Sequence, residues 1–241
     1  MISIKNPQAI IFDLDGTLLN TIGDLADCCN IALATEDLEP ISVNEYKLHI
    51  GSGARNLVES SYASALGTKL GRQVKINELN PDKVDELYKL YTDAYADGWA
   101  KKTQPYPGVK SLLEKLKAAG YRLAVLSNKP DNFTREMTDH YFSEGTFDLV
   151  LGKRADWPLK PDPASTIYIC EELGVPPEMA ALIGDSGSDI ETAIRAGVQA
   201  WAVLWGFRDY DELSRAGAEE FFANVTELEQ KLLHNQFLRQ P

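Results

Sequence analysis

Three apolar residues, Ile10-Ile11-Phe12, run without interruption into Asp13-Leu14-Asp15-Gly16-Thr17. A short apolar run lacking polar alternation reads as a strand buried on both faces, as in a parallel sheet. Charge then appears where that strand should end. In open α/β sheets ligands gather off the carboxyl ends of the strands, so the pattern predicts Asp13 and Asp15 side by side at the mouth of a sheet. Gly16 lets the backbone turn sharply there. Alone, Asp-x-Asp-Gly is as readily a strand-end turn, because Asp-Gly favours turns. The alternatives separate only if other strands deliver partners to the same edge.

They do. From Tyr106 onward apolar strand patterns alternate with amphipathic helical ones, with strands expected over 122–126, 147–151, 180–183 and 199–204. Helices are expected over 109–119, 132–142, 163–173, 190–196, 209–216 and 226–234. Such alternation implies a doubly wound, mostly parallel sheet with helices on both faces. Polar residues again follow the strands: Ser127-Asn128-Lys129, then Gly184-Asp185-Ser-Gly-Ser-Asp189. Lys160 stands in a proline-flanked loop ahead of another helix. Between the first strand and this region the texture is helical throughout. Stripes run over Ile22–Leu33, Leu57–Leu66 and Val84–Tyr95, and Asn80-Pro81-Asp82 marks a helix start. The expected organisation is an α/β core over 1–19 and 101–241, interrupted by an α-helical domain over 20–100. Residues 235–241 read as a frayed tail.

The formal net charge of -12 argues against nucleic acid and anionic membrane surfaces as partners. No apolar run reaches membrane-spanning length, and the N-terminus lacks the features of a signal peptide. Three cysteines, two of them adjacent, form neither a zinc spacing nor a disulfide framework, which points to reduced thiols and a cytoplasmic protein. His49, His140 and His234 have no ligand spacing and are expected on the surface. Trp201 and Trp205, and Tyr88, Tyr91 and Tyr95 at helical spacing, are expected to pack.

Several carboxylates gathered at one edge cannot all stay ionised without a cation. Hard oxygen ligands of this kind suit Mg²⁺, which binds one or two carboxylates together with substrate phosphate. Phosphoryl transfer needs positioning and charge neutralisation, for which the Ser127 hydroxyl and Lys160 ammonium are suitable donors. Asp13 is then the nucleophile, forming an aspartyl-phosphate. Asp15 is the acid that protonates the leaving oxygen and later deprotonates water. That role asks for surroundings that favour the protonated form of Asp15 over that of Asp13.

Asp13-x-Asp15-Gly-Thr17, Ser127-Asn-Lys, Lys160-Pro and Gly184-Asp185-Ser-x-x-Asp189 together resemble, in order and spacing, the four motifs of the haloacid dehalogenase superfamily. The helical insert resembles its C1-type cap. The resemblance implies Asp13 as nucleophile and metal ligand, Asp15 as acid–base with its carbonyl on Mg²⁺, and Lys160 as a catalytic cation. It also implies Thr17, Ser127 and Asn128 as phosphate-side residues, and Asp185 and Asp189 as metal-site acids. An acid at Asp15 speaks against the carbon–halogen and phosphonate branches and for phosphate esters. His49-Ile-Gly51-Ser-Gly53-Ala-Arg55 resembles the specificity loop of phosphoglycolate phosphatases, which nominates Gly51, Gly53 and Arg55 for substrate contact, with Arg55 pairing a carboxylate. Leu204-Trp205-Gly206-Phe207 resembles the same group. The expected activity is hydrolysis of a small phosphorylated metabolite, 2-phosphoglycolate first, by a monomer or homodimer. A phosphosugar mutase, a nucleotidase, a pyrophosphatase and a non-catalytic regulatory module are the alternatives.

Overall fold

The computed structural model describes residues 6–155 and 157–234, with His234 by its backbone alone. The 235–241 tail and the His234 side chain lie outside the described residues. β1 (Ala9–Phe12) is fully buried and turns at once into β2 (Leu19–Asn20). Four α-helices follow: α1 (Ile22–Ala34), α2 (Val43–His49), α3 (Ala54–Leu70) and α4 (Pro81–Gly98). β3 (Gln104–Pro105) returns alongside β2 as a two-stranded ribbon. The chain continues through α5 (Val109–Ala118), β4 (Arg122–Pro130), α6 (Asp131–Tyr141), β5 (Leu149–Lys153), α7 (Ala164–Leu173) and β6 (Ala180–Gly184). It closes with α8 (Gly187–Ala196), β7 (Gln199–Val203), α9 (Tyr210–Arg215), β8 (Glu220–Phe222) and α10 (Val225–His234). It forms two compact units: Asn20–Gln104, and the residues up to Leu19 together with those from Pro105 on.

In the second of these, six parallel strands lie in the order β5-β4-β1-β6-β7-β8. The chain winds outward from β1 in one direction, returns, and winds outward in the other. The reversal falls between β1 and β6, the position where doubly wound sheets bind ligands. Alternate residues of β1, β4, β6 and β7, among them Ile11, Ala124, Leu126, Leu182 and Ala200, share one core with α7 and α8. The intervening residues, Ile10, Phe12, Val125, Ile183 and Trp201, are buried too. Burial on both faces explains the continuous apolar runs. β8, a short edge strand beside β7, carried no strand pattern of its own.

The helical unit has its own core. Leu25, Cys29 and Leu33 of α1, Leu57, Val58 and Tyr62 of α3, and Val84, Leu87, Tyr91 and Tyr95 of α4 are buried. Tyr91 and Tyr95 stack at a centroid separation of 5.6 Å. Asn80 caps α4 by accepting from the Asp82 and Lys83 amides. α2 was not anticipated, because it buries only Tyr46 and so has no apolar stripe. Its signal was a cap: Ser42 accepts from the Glu45 amide. His49 is half-buried rather than on the surface, with Nδ1 3.2 Å from Ser61 Oγ; His140 is exposed. All three cysteines are buried and unpaired with one another. Among the described residues no helix is long and apolar enough to cross a membrane.

The helical unit extends to Gln104, beyond the expected residue 100. Asp24 supplies the reason. Its buried carboxylate accepts from the Lys102 amide (2.9 and 3.0 Å), the Thr103 amide (2.8 Å) and the Thr103 hydroxyl (2.8 Å), tying the return segment to α1. Removing one partner of a buried polar group costs the desolvation of what remains. Asp24→Ala should therefore destabilise the protein by about 3 kcal/mol, read as a lowered urea midpoint.

Candidate active site

Asp13 is the first residue past β1, and its amide continues the ladder by donating to the Ile183 carbonyl at 2.9 Å. The chain then doubles back tightly. The Leu18 and Leu19 amides both donate to the Leu14 carbonyl, and the Gly16 amide to the Leu19 carbonyl. Gly16 sits at φ +89°, open to glycine at little cost. This loop brings the Thr17 hydroxyl to Asp185 Oδ1 at 3.1 Å. Asp185 follows β6 directly. Its Oδ2 accepts from the Phe207 amide at 2.7 Å, and the Trp205 indole N–H donates to the Thr17 carbonyl at 3.1 Å. A Cβ on Gly16 or Gly206 would overlap the Asp185 side chain, and one on Gly184 would overlap Asp189.

Asp189 lies in the first turn of α8. Its Oδ2 accepts from the Ser186 hydroxyl (2.6 Å) and amide (3.1 Å), which leaves Oδ1 to face Lys160 at 2.6 Å. The Lys160 ammonium also donates to Asp13 Oδ1 (2.7 Å) and the Leu126 carbonyl (2.9 Å), using all three of its protons. Asn128 fixes the loop that carries it. The Asn128 side chain accepts from the Lys160 amide at 2.8 Å and donates to the Lys160 carbonyl at 3.1 Å. Ser127 Oγ accepts from the Lys129 amide at 3.2 Å, which leaves its own proton for another acceptor.

Asp13, Asp185 and Asp189 are all buried, and each offers a carboxylate oxygen within 4.8 Å of the others. One ammonium against three carboxylates leaves an excess of negative charge. Burial pushes Asp13 well above the ordinary carboxylate range; Lys160 opposes the rise, while Asp189 and Asp185 add to it. Burial, then Asp189, pushes Asp185 up to about 7, against the Phe207 amide and Thr17 hydroxyl that favour its charged form. For Lys160, burial by itself would lower the pKa, but Asp13 and Asp189 outweigh it and hold the ammonium above its usual value. A compact set of hard oxygens with uncompensated charge fits a divalent cation such as Mg²⁺. Both oxygens of Asp15 face the Lys129 ammonium, at 3.0 Å each.

The structure thus gathers Asp13, Lys160, Asp185 and Asp189, with Thr17 and Asn128 bracing them and Asp15 and Ser127 at the same sheet edge. Gly51 (φ 114°), Gly53 (φ 90°) and Arg55 belong to the helical unit, where the two glycines form the turn into α3. Arg55 pairs with Asp85 at 2.7 Å and Glu59 at 3.1 Å, with its side chain 45% exposed. Two features were not read as site elements: the Lys129–Asp15 pair, and the Trp205–Phe207 segment that braces Asp185. Trp205 was expected to pack in the core or an interface, and its segment was singled out only by resemblance; a glycine between two aromatics was the available hint of close backbone approach.

Residues 10–203 match the family described as haloacid dehalogenase-like hydrolase, and the chain belongs to that family. Its relatives place it among the phosphatases of the family. The phosphoglycolate phosphatase of Psychrobacter arcticus is 33% identical over 226 residues, covering 94% of this chain and 96% of its own. The phosphoglycolate phosphatase of Aquifex aeolicus is 32% identical, over 83% of this chain and 86% of its own. A candidate phosphoglycolate phosphatase of known structure from Lactobacillus delbrueckii subsp. bulgaricus is 31% identical, with a TM-score of 0.87 over 95% of this chain and 99% of its own. A candidate β-phosphoglucomutase from Bacteroides vulgatus shares the fold at 20% identity and a TM-score of 0.73, over 99% of this chain and 93% of its own.

The buried acids set the pH dependence of stability. Burial pushes Asp185 from the usual 3.8 up to about 7 in the folded protein, and Asp13 is raised in the same direction. Protonated, Asp185 is easily buried, so its contribution is complete below about pH 4 and is lost as pH rises through about 7, with Asp13 acting in the same sense. Chelator-treated protein should therefore melt at a lower temperature at pH 8 than at pH 5. Added Mg²⁺ should raise the melting temperature more at pH 8, where the carboxylates are free to bind it.

Proposed function

We propose that the protein is a Mg²⁺-dependent phosphomonoester hydrolase acting through phosphorylated Asp13, with 2-phosphoglycolate its foremost substrate. One observation carries this: Asp13 sits at the β1/β6 crevice with one oxygen on Lys160 and with Asp185 and Asp189 within 4.8 Å. Asp13, Asp185 and Asp189 would hold the cation, with the Asp15 carbonyl as the family resemblance implies. When bound, it would neutralise charge on the phosphate and favour the ionised nucleophile. The substrate class is supported by the relatives at 31–33% identity, which are described as phosphoglycolate phosphatases or a candidate for one.

The Asp13 carboxylate attacks phosphorus, and the bond to the leaving oxygen breaks. Lys160 orients Asp13 and offers positive charge to the non-bridging oxygens as the transition state develops, and the Ser127 hydroxyl donates a hydrogen bond to them. Asp15 delivers a proton to the leaving oxygen. Water then attacks the aspartyl-phosphate and Asp15 takes up its proton, which releases phosphate and regenerates Asp13. A mutase would follow the same first step and return the phosphoryl group to a sugar. The similarity to a β-phosphoglucomutase rests on fold alone.

Steady-state phosphate release should be measured across phosphoglycolate, sugar phosphates, nucleotides and pyrophosphate, with and without Mg²⁺. Phosphoglycolate should give the highest kcat/KM, and Mg²⁺ should be required. Asp13→Asn should lower kcat by at least about 10⁴-fold, since the nucleophile itself is lost. Full retention of p-nitrophenyl phosphate hydrolysis by that variant would sink the mechanism. Sugar-phosphate isomerisation without phosphate release would replace the hydrolase by the mutase.

A further inference from the structure

Lys129 stands outside the group of Asp13, Asp185 and Asp189 yet is buried like its members. The β4–β5 register runs regularly to Leu126 beside Leu151, then breaks and resumes at Pro130 beside Lys153. An irregularity of this kind re-aims side chains at a strand end. Here Ser127, Asn128 and Lys129, all polar, continue the buried run of Leu123–Leu126. The backbone is pinned on both sides: the Lys129 amide donates to Ser127 Oγ at 3.2 Å, and its carbonyl accepts from the Thr134 hydroxyl at 3.2 Å. From this anchor the ammonium reaches both oxygens of Asp15, with the two side chains 4% and 14% exposed.

The two buried lysines divide the acids between them. Lys160 takes Asp13 and Asp189; Lys129 takes Asp15. By chemistry the Asp15 carboxylate is as good a hard ligand as its neighbours. It nevertheless stands outside the group of acids gathered within 4.8 Å. Asp13, two residues away on the same strand end, has only one oxygen on its lysine, whereas Lys129 holds both oxygens of Asp15. We propose that Lys129 is a positioning residue, which keeps the Asp15 carboxylate out of the metal-ligating group and orients it toward the leaving oxygen. The proposal rests on the hydrolase reading above.

A merely structural ion pair would matter equally for every substrate. A positioning residue matters most where the leaving oxygen needs a proton. An alkyl phosphate expels a strongly basic alkoxide; p-nitrophenyl phosphate expels a stable phenolate that needs little help. For both esters kcat/KM reports events up to the first irreversible step, so later attack of water does not enter.

The test compares Lys129→Met and Lys129→Arg with wild type on the best alkyl phosphomonoester and on p-nitrophenyl phosphate, in Mg²⁺, with melting temperatures alongside. Lys129→Met should lose about 10²-fold or more in kcat/KM on the alkyl ester, the cost of a misplaced general acid. It should lose less than about 10-fold on the nitrophenyl ester, which depends little on that acid. Lys129→Arg, which keeps a cation on Asp15, should recover part of the alkyl loss. Equal losses on the two esters, or none, in a variant that still melts cooperatively overturn the proposal and leave the hydrolase reading standing. If Lys129→Met does not fold, Lys129→Arg decides: loss confined to the alkyl ester supports the proposal, and uniform loss overturns it. Wild-type protein that releases phosphate from neither ester sinks the hydrolase reading and this proposal with it.

Discussion

A single ammonium among three buried carboxylates governs this structure. Lys160 arrives in the loop between β5 and α7, and its backbone is clamped by Asn128 on both sides. Its three protons go to Asp13, Asp189 and the Leu126 carbonyl. Buried charges persist only when paired and hydrogen-bonded. Each element near the crevice contributes to that condition: the capped start of α8 holds Asp189, while the Asp13–Thr17 turn and the Phe207 amide hold Asp185. The pairing is nevertheless incomplete. A structural ion pair would balance its charges; this cluster keeps an excess of negative charge in a low-dielectric crevice, which fits a divalent cation.

Much of this was visible in the chain itself. An apolar run that ends abruptly in acids or hydroxyls marks a strand delivering functional groups to a sheet edge, and Asp13, Ser127 and Asp185 all carried that mark. Lys160 was visible only through its place among the other segments. The missing pieces share a physical cause: their signal lies in tertiary contact rather than local pattern. β4 continues through Ser127–Lys129, past an irregular register, and buries three polar residues in a row, which the end of an apolar run does not anticipate. The partner of Lys129 lies far off in sequence, on the β1 loop. The Trp205–Phe207 bend has no regular period, and its purpose appears only once Asp185 is beside it. α2 is short and nearly without a buried face, so only its cap announced it.

Sharing the fold with a candidate β-phosphoglucomutase illustrates how little of an activity resides in the fold. On the mechanism proposed above, the same sheet, crevice and acids would serve either activity, and the difference would be whether water or a sugar hydroxyl next approaches Asp13. For this chain, the relatives of higher identity favour water, and a superposition of folds alone would not have decided the matter.

The ribbon of β2 and β3 has a consequence for how such a chain can change over time. Leu19 and Pro105 sit on adjacent short strands, so the ends left by the whole Asn20–Gln104 unit lie about one inter-strand spacing apart, roughly 5 Å. A gap of that size can be bridged by a short turn, by these helices or by some other fold, without changing the sheet. The chemistry and whatever is inserted at that doorway are therefore on separate evolutionary clocks. Glycines pressed against the acids leave little freedom for drift on one side, while an entire module can be exchanged on the other.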